Sequence, residues 1–127
     1  MESRIFISAL AVLLLVFAPA AFIQADEITQ AEKAKIEALI AQLEGLRDAK
    51  FIRNGSSYDG KTAAKFLRGK WHSHEKEIKN AGDFITKAAT GSSTSGKPYM
   101  IQLKSGEVPS SDYLNAQLKK LGDSPYK

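Results

Sequence analysis

Residues Ile5 to Ala18 form an apolar run broken only by Ser8, behind Met1-Glu2-Ser3-Arg4 and ahead of small residues at Ala18, Ala20, Ala21 and Ala25. That order is the pattern of a secretory signal peptide. Cleavage is expected after Ala25, although Ala18-Pro19-Ala20 fits the small-x-small rule more strictly. Cleavage leaves residues 26–127, enough for one domain and too little for a multidomain enzyme. The rival reading is an uncleaved anchor over Ile5 to Ile23, near the short limit for a spanning helix and interrupted by Ser8 and Pro19. The expected product is a periplasmic or secreted protein.

The chain contains no cysteine. This excludes lipid attachment at a signal-site Cys, disulfides, thiolate catalysis and Cys-ligated zinc. An exported domain without disulfides must be held by packing. From Ile28 to Leu121 there are 24 large apolar or aromatic residues. Each contributes about 1.5–3 kcal/mol when fully buried, which can offset the entropy of ordering a chain of this size. At 43% apolar and 25% charged residues, disorder is excluded as well.

Thr29-Gln30-Ala31-Glu32 reads as a capping box, Thr bonding forward and Glu back. Behind it Ile36, Leu39, Ile40, Leu43 and Leu46 recur at helical spacing. Phe51-Ile52-Arg53 reads as a short strand entering the Asn54-Gly55 turn. Ser57 or Asp59 caps a second helix through about Asn80, with the stripe Ala64, Leu67, Trp71, His74 and Ile78. Asn80 and Asp83 open a third helix carrying Phe84, Ile85 and Ala88, and Gly91 closes it. Residues 91–98, GSSTSGKP, are a loop. Tyr99 to Leu103 is a strand, and Ser110 caps a last helix with Leu114, Leu118 and Leu121 facing inward. The tail DSPYK reads as loose. The fold expected is a small α+β domain, mostly helical, with about four helices and a short two-stranded sheet that must lie on them to be stable.

Three segments, FIRNG at 51–55, AAKFLRGKW at 63–71 and DFITKAATGSSTSGKPYMI at 83–101, resemble the YfeK-like family of small bacterial periplasmic proteins, a domain of unknown function. The likeness runs from about Ile36 to Leu121, and SSTSGKPY is its most specific part. It implies export and a shared fold, and it supplies neither an activity nor catalytic residues. Many members carry a Cys near Ala88 or Ala89, where this chain has none.

Several motifs lack the context their chemistry needs. Gly91-x-x-x-x-Gly96-Lys97 copies a P-loop, but Pro98 stands where a Ser or Thr should hold magnesium, and the segment leaves a helix for a strand instead of the reverse. Ser73-x-x-Lys76, Tyr113-x-Asn115 and Lys104-Ser105-Gly106 imitate the signatures of penicillin-recognising serine enzymes in the wrong order. His72 with Glu75 and His74 with Glu77 form two pairs that point apart, short of a zinc ligand set. Asn54-Gly55-Ser56 is formally a glycosylation sequon and reads better as a turn. No cofactor or metal is expected.

Two features point to binding. Nine basic residues lie between Arg47 and Lys79, and Lys61, Lys65 and Arg68 share one helical face. Such a patch attracts anions. In the loop, Ser93 and Ser95 offer hydroxyls, Lys97 a cation and Tyr99 a rigid amphipathic anchor. The expected function is non-enzymatic: a binding or interaction domain for anionic envelope glycans or lipid head groups, with nucleic acid excluded by export. One alternative is a module for another periplasmic protein. Ser95-Gly96-Lys97-Pro98-Tyr99 resembles the plugging loop of periplasmic lysozyme inhibitors, although those are β-rich and a +4 chain is repelled by basic lysozymes. The other is a small envelope hydrolase, for which no base lies near Ser93 or Ser95 in sequence.

Overall fold

The computed structural model describes residues 27–122; the expected signal peptide (1–25) and the tail (123–127) lie outside them. The elements run α1 (Gln30–Glu44), β1 (Lys50–Arg53), β2 (Ser56–Tyr58), α2 (Gly60–Ser73), α3 (Ala81–Ala88), β3 (Met100–Leu103), β4 (Gly106–Pro109) and α4 (Ser110–Gly122). This is a mainly helical α+β fold. Its core residues all fall within 28–121, so a protein beginning at Asp26 keeps every core contact described below.

The sheet has four strands instead of two, all antiparallel, in the order β2-β1-β3-β4. Asn54 and Gly55 both have positive φ, 52° and 83°. That conformation matches the twist of a two-residue hairpin, so the turn folds Ser56–Tyr58 back onto β1. A second hairpin does the same for β4 on β3, with Gly106 at φ 136°. The central pair aligns Phe51 with Ile101. Tyr58, Phe51, Ile101 and Val108 therefore form one row across the face that meets the helices.

Helix α1 buries Ile36, Leu39, Ile40 and Leu43, the spacing of one helical face. It packs on α2, whose buried face is Gly60, Ala63, Ala64 and Leu67. These small residues let the two helices approach closely. A Cβ on Gly60 would run into the Leu43 carbonyl oxygen, so this crossing admits no side chain at 60.

Three local expectations are corrected. Thr29 does cap α1, accepting from Glu32 N–H at 3.2 Å. Glu32 does not bond back to its own helix end. Its Oε1 accepts from the Ala81 N–H at 2.8 Å and its Oε2 from Lys35 at 2.9 Å, so it caps α3 across 49 residues. Helix α2 stops at Ser73, followed by a 3-10 turn at Glu75–Glu77. A straight helix over 74–80 would carry Asn80 about 10 Å further along the axis, away from the place where Ala81 meets Glu32. Ser110 opens α4, yet its fully buried hydroxyl has no hydrogen-bond partner; its backbone N–H instead donates to Tyr99 O at 2.8 Å. The Asn80 cap on α3 is as expected, with Asn80 Oδ1 accepting from Asp83 N–H and Asp83 Oδ2 from Lys79 N–H.

The Ala81 N–H and then the Lys35 ammonium hold the Glu32 carboxyl below its usual 4.5. Its folded pKa is thus lower than its unfolded one. Its contribution is complete above the unfolded value and fades as pH falls through the folded value. Replacing Glu32 with Gln is expected to cost about 1 kcal/mol at neutral pH, with the gap from the native protein closing below pH 4.5 in urea titrations. Gly60→Ala is expected to cost about 2 kcal/mol or more by the same measurement, because backbone must move to admit the methyl.

Candidate functional site

The loop from Thr90 to Tyr99, between α3 and β3, lies in the longest irregular stretch among the described residues. Most of its polar groups outside Ser93 and the Lys97 ammonium are already spent on one another or on the β1–β2 turn. Ser92 is buried, and its Oγ sits at the centre. It accepts from the Thr94 and Ser95 N–H groups, both at 3.3 Å, and lies 3.0 Å from Thr94 Oγ1. The loop closes through Ser92 N–H to Lys97 O and Gly96 N–H to Ser92 O, both at 2.9 Å. Gly91 faces Pro98 as an isolated bridge, and a Cβ at 91 would lie 2.9 Å from Lys97 O. This is why a glycine stands there.

The closed loop rests on the β1–β2 turn. Ser95 Oγ–H donates to Asn54 Oδ1 at 2.5 Å, and Asn54 Nδ2 reaches Ser92 Oγ at 3.5 Å. Asn54 thus shapes the hairpin by its positive φ and anchors the loop by its side chain. Sequence reading recognised only the first of these roles.

Tyr99 is not the exposed anchor expected of it. The residue is 1% exposed. Its ring lies 5.2 Å from that of Phe51 and 5.6 Å from that of Phe66. Extended backbone alternates its side chains, and the β1–β3 register puts residue 99 on the same face as Ile101, toward the helices. Its hydroxyl accepts from Lys70 Nζ at 2.9 Å, and the same ammonium donates to Gly91 O at 2.9 Å. Lys70, on α2, therefore holds the loop from beneath. It was counted in the basic cluster, but its charge is spent inside.

The two parts of the expected contact surface lie apart. Phe66 and Lys70 face Tyr99 and the loop. At about 100° per residue, the Lys61, Lys65 and Arg68 face is roughly 150° away around α2, on the flank next to α1. Arg68 is also partly neutralised there, with Nη2 3.2 Å from Glu37 and Nη1 3.9 Å from Glu44. Lys61 and Lys65 are exposed. In the loop Ser93 and Lys97 remain exposed, while Ser95 is engaged with Asn54.

The histidines sit at the far end of α2. His72 is 3.9 Å from Glu75, and His74 is 3.2 Å from Glu77. The His72 ring stacks on Trp71 at 6.1 Å. Ser73 Oγ–H donates back to Gly69 O at 3.0 Å, as a helix-end hydroxyl does. Among the described residues no three His, Cys, Asp or Glu side chains gather as a metal site, and no helix is long and apolar enough to cross a membrane.

One basic residue, read as the end of a strand and as one of the nine in the basic cluster, stands out. Arg53 lies 4.3 Å over the Phe66 ring, with its Nε sealed from solvent and without a hydrogen-bond partner. Nothing in the FIRNG segment signals this, because the ring beneath it comes from α2.

Comparison with known proteins agrees with the sequence resemblance. The "Family of unknown function (DUF5329)" matches residues 30–122. The "Uncharacterized protein YfeK" of Salmonella typhimurium is 38% identical over 68 residues, 54% of this chain and 57% of that protein. The match thus spans little more than half the relative's length. No solved structure matches.

Tyr99→Phe is expected to cost about 1 kcal/mol in urea unfolding. Amide exchange within 91–97 should rise more than elsewhere, because Lys70 then keeps only the Gly91 carbonyl. Asn54→Ala should release the same amides while leaving those of α1 unchanged.

Proposed function

The chain belongs to the DUF5329 family of unknown function and is similar to an uncharacterized YfeK protein, and we propose that it is an exported, non-enzymatic binding domain for anionic cell-envelope material. The observation that carries this reading is the set of unpaired cations. Lys61, Lys65 and Lys97 are exposed and make no ion pair among the described residues, while their neighbour Arg68 is held by Glu37 and Glu44. Unpaired exposed ammonium groups attract anions and give up little on meeting them. Lys97 lies on the loop flank of α2, and Lys61 and Lys65 on the α1 flank. A single small ligand does not span both, whereas an extended anionic polymer or a head-group surface does.

The apolar run at 5–18 supports export. The absence of a base beside Ser93 or Ser95 supports a non-catalytic role: Ser95 Oγ is bonded to an amide oxygen, which cannot take its proton. A rigid loop also suits a protein partner, since its polar groups are ordered before any contact is made. Burial of Tyr99 leaves that loop without an exposed aromatic anchor, which weighs against a lysozyme-inhibitor mode.

Co-sedimentation with purified peptidoglycan sacculi tests the reading. The protein beginning at Asp26 should pellet with sacculi at low salt and be released as the screening length falls below about 10 Å. The triple variant Lys61→Gln, Lys65→Gln, Lys97→Gln should stay in the supernatant. Equal pelleting of native and variant protein would sink the electrostatic reading. No pelleting at either salt would turn the search to protein partners of the 92–98 loop.

A further inference from the structure

Between the β1–β2 hairpin and the first turns of α2 lies a cavity of about 120 Å³, walled by Phe51, Arg53, Tyr58, Thr62, Ala63 and Phe66. The wall is almost wholly apolar, and the lining residues whose side chains carry polar groups are Arg53, Tyr58 and Thr62. Arg53 is half-buried on the Phe66 ring. Its side chain makes no ion pair or hydrogen bond among the described residues, and its Nε lies below the surface with no acceptor. By contrast, the cations on α2 that turn toward the fold are provided for: Lys70 by Tyr99 and Gly91, Arg68 by Glu37 and Glu44. An arginine cannot shed its proton, so a guanidinium left in apolar surroundings keeps its demand for an acceptor.

We propose that this cavity binds a small monocarboxylate carrying a compact apolar body, the carboxylate on Arg53 and the body among Phe51, Ala63 and Phe66. Size limits the body: an apolar cavity of about 150 Å³ holds a benzene ring, so this open one of about 120 Å³ admits no more than a single ring. Charge selects the head. One guanidinium matches one carboxylate in planar geometry, while a dianionic phosphate would want further cations or a set of backbone N–H groups, and neither lines this wall. The site does not depend on the envelope reading, because Lys61, Lys65 and Lys97 take no part in it. A free acid and the terminal carboxylate of an apolar peptide share this chemistry.

Benzoate is the first probe, titrated at pH 7 into the isotope-labelled protein beginning at Asp26 and followed by amide shifts in nuclear magnetic resonance. Saturable shifts confined to 51–53, 58 and 62–66 are expected with benzoate. They should be absent with benzamide, which has the same body and no charge, and with acetate, which has the charge and no body. Arg53→Gln should weaken benzoate by about 10- to 100-fold, the worth of a charge-assisted hydrogen bond, with the rest of its spectrum unchanged. Tighter binding of Ala-Ala-Phe as the free acid than of benzoate would support the site with a chain end as its source; weaker binding would support it with a free acid. No saturable shift at millimolar benzoate, equal binding of benzamide, or equal binding by a folded Arg53→Gln variant would overturn the proposal. If that variant does not fold, the benzoate–benzamide comparison on the native protein decides alone.

Discussion

The fold is tied together at Tyr99. Its ring joins the sheet residue Phe51 to Phe66 of α2, and its hydroxyl takes a hydrogen bond from Lys70 one turn further along α2. Its backbone N–H donates to Thr90 O, just past the end of α3, and its carbonyl accepts from the N–H of Ser110, the first residue of α4. Sheet, three helices and the long loop thus meet at one residue. A buried aromatic of this size supplies a few kcal/mol, and the backbone N–H, the carbonyl and the hydroxyl of Tyr99 each have a hydrogen-bond partner. The loop can therefore be polar throughout and still be ordered, because its two ends are held by the core.

A second tie closes the helical layer. Glu32 caps the N-terminus of α3 from α1, and Gly60 lets α2 lie against the end of α1. Both act over long sequence separation, and both use residues whose local reading is ordinary: the fourth residue of a capping box and a glycine in the first position of a helix. With α1 and α2 this close, the Arg68 side of α2 meets the Glu37 and Glu44 side of α1. The same crossing that builds the core thereby neutralises part of the basic face and sends the loop to the opposite flank.

The helices were legible because each carries a periodic apolar face and a capping side chain: Ile36 to Leu43 behind Thr29, and Phe84, Ile85 and Ala88 behind Asn80. Strands β1 and β3 were legible as short apolar runs. Strands β2 and β4 were not. Ser56-Ser57-Tyr58 and Gly106-Glu107-Val108-Pro109 are edge strands with one large side chain each toward the core, too little alternation to read without the hairpins that pair them. The end of α2 at Ser73 was equally hidden, since Ile78 is buried as a continued helix would also require.

For the candidate site, the sequence by itself determined the chemistry available: the lysines, the hydroxyl-rich loop, the single glycine at the bridge to Pro98 and the absence of thiols. The tertiary structure decided which of these groups remain available. Tyr99 and Lys70 went inward because the β1–β3 register assigns residue 99 to the helix-facing side, Ser95 was taken by Asn54, and Arg53 was left on Phe66 without a counter-ion. The reason is physical. Residue type and periodicity are local, whereas burial and pairing depend on neighbours that are brought together only by the fold, 41 residues apart for Ser95 and Asn54 and 49 for Glu32 and Ala81.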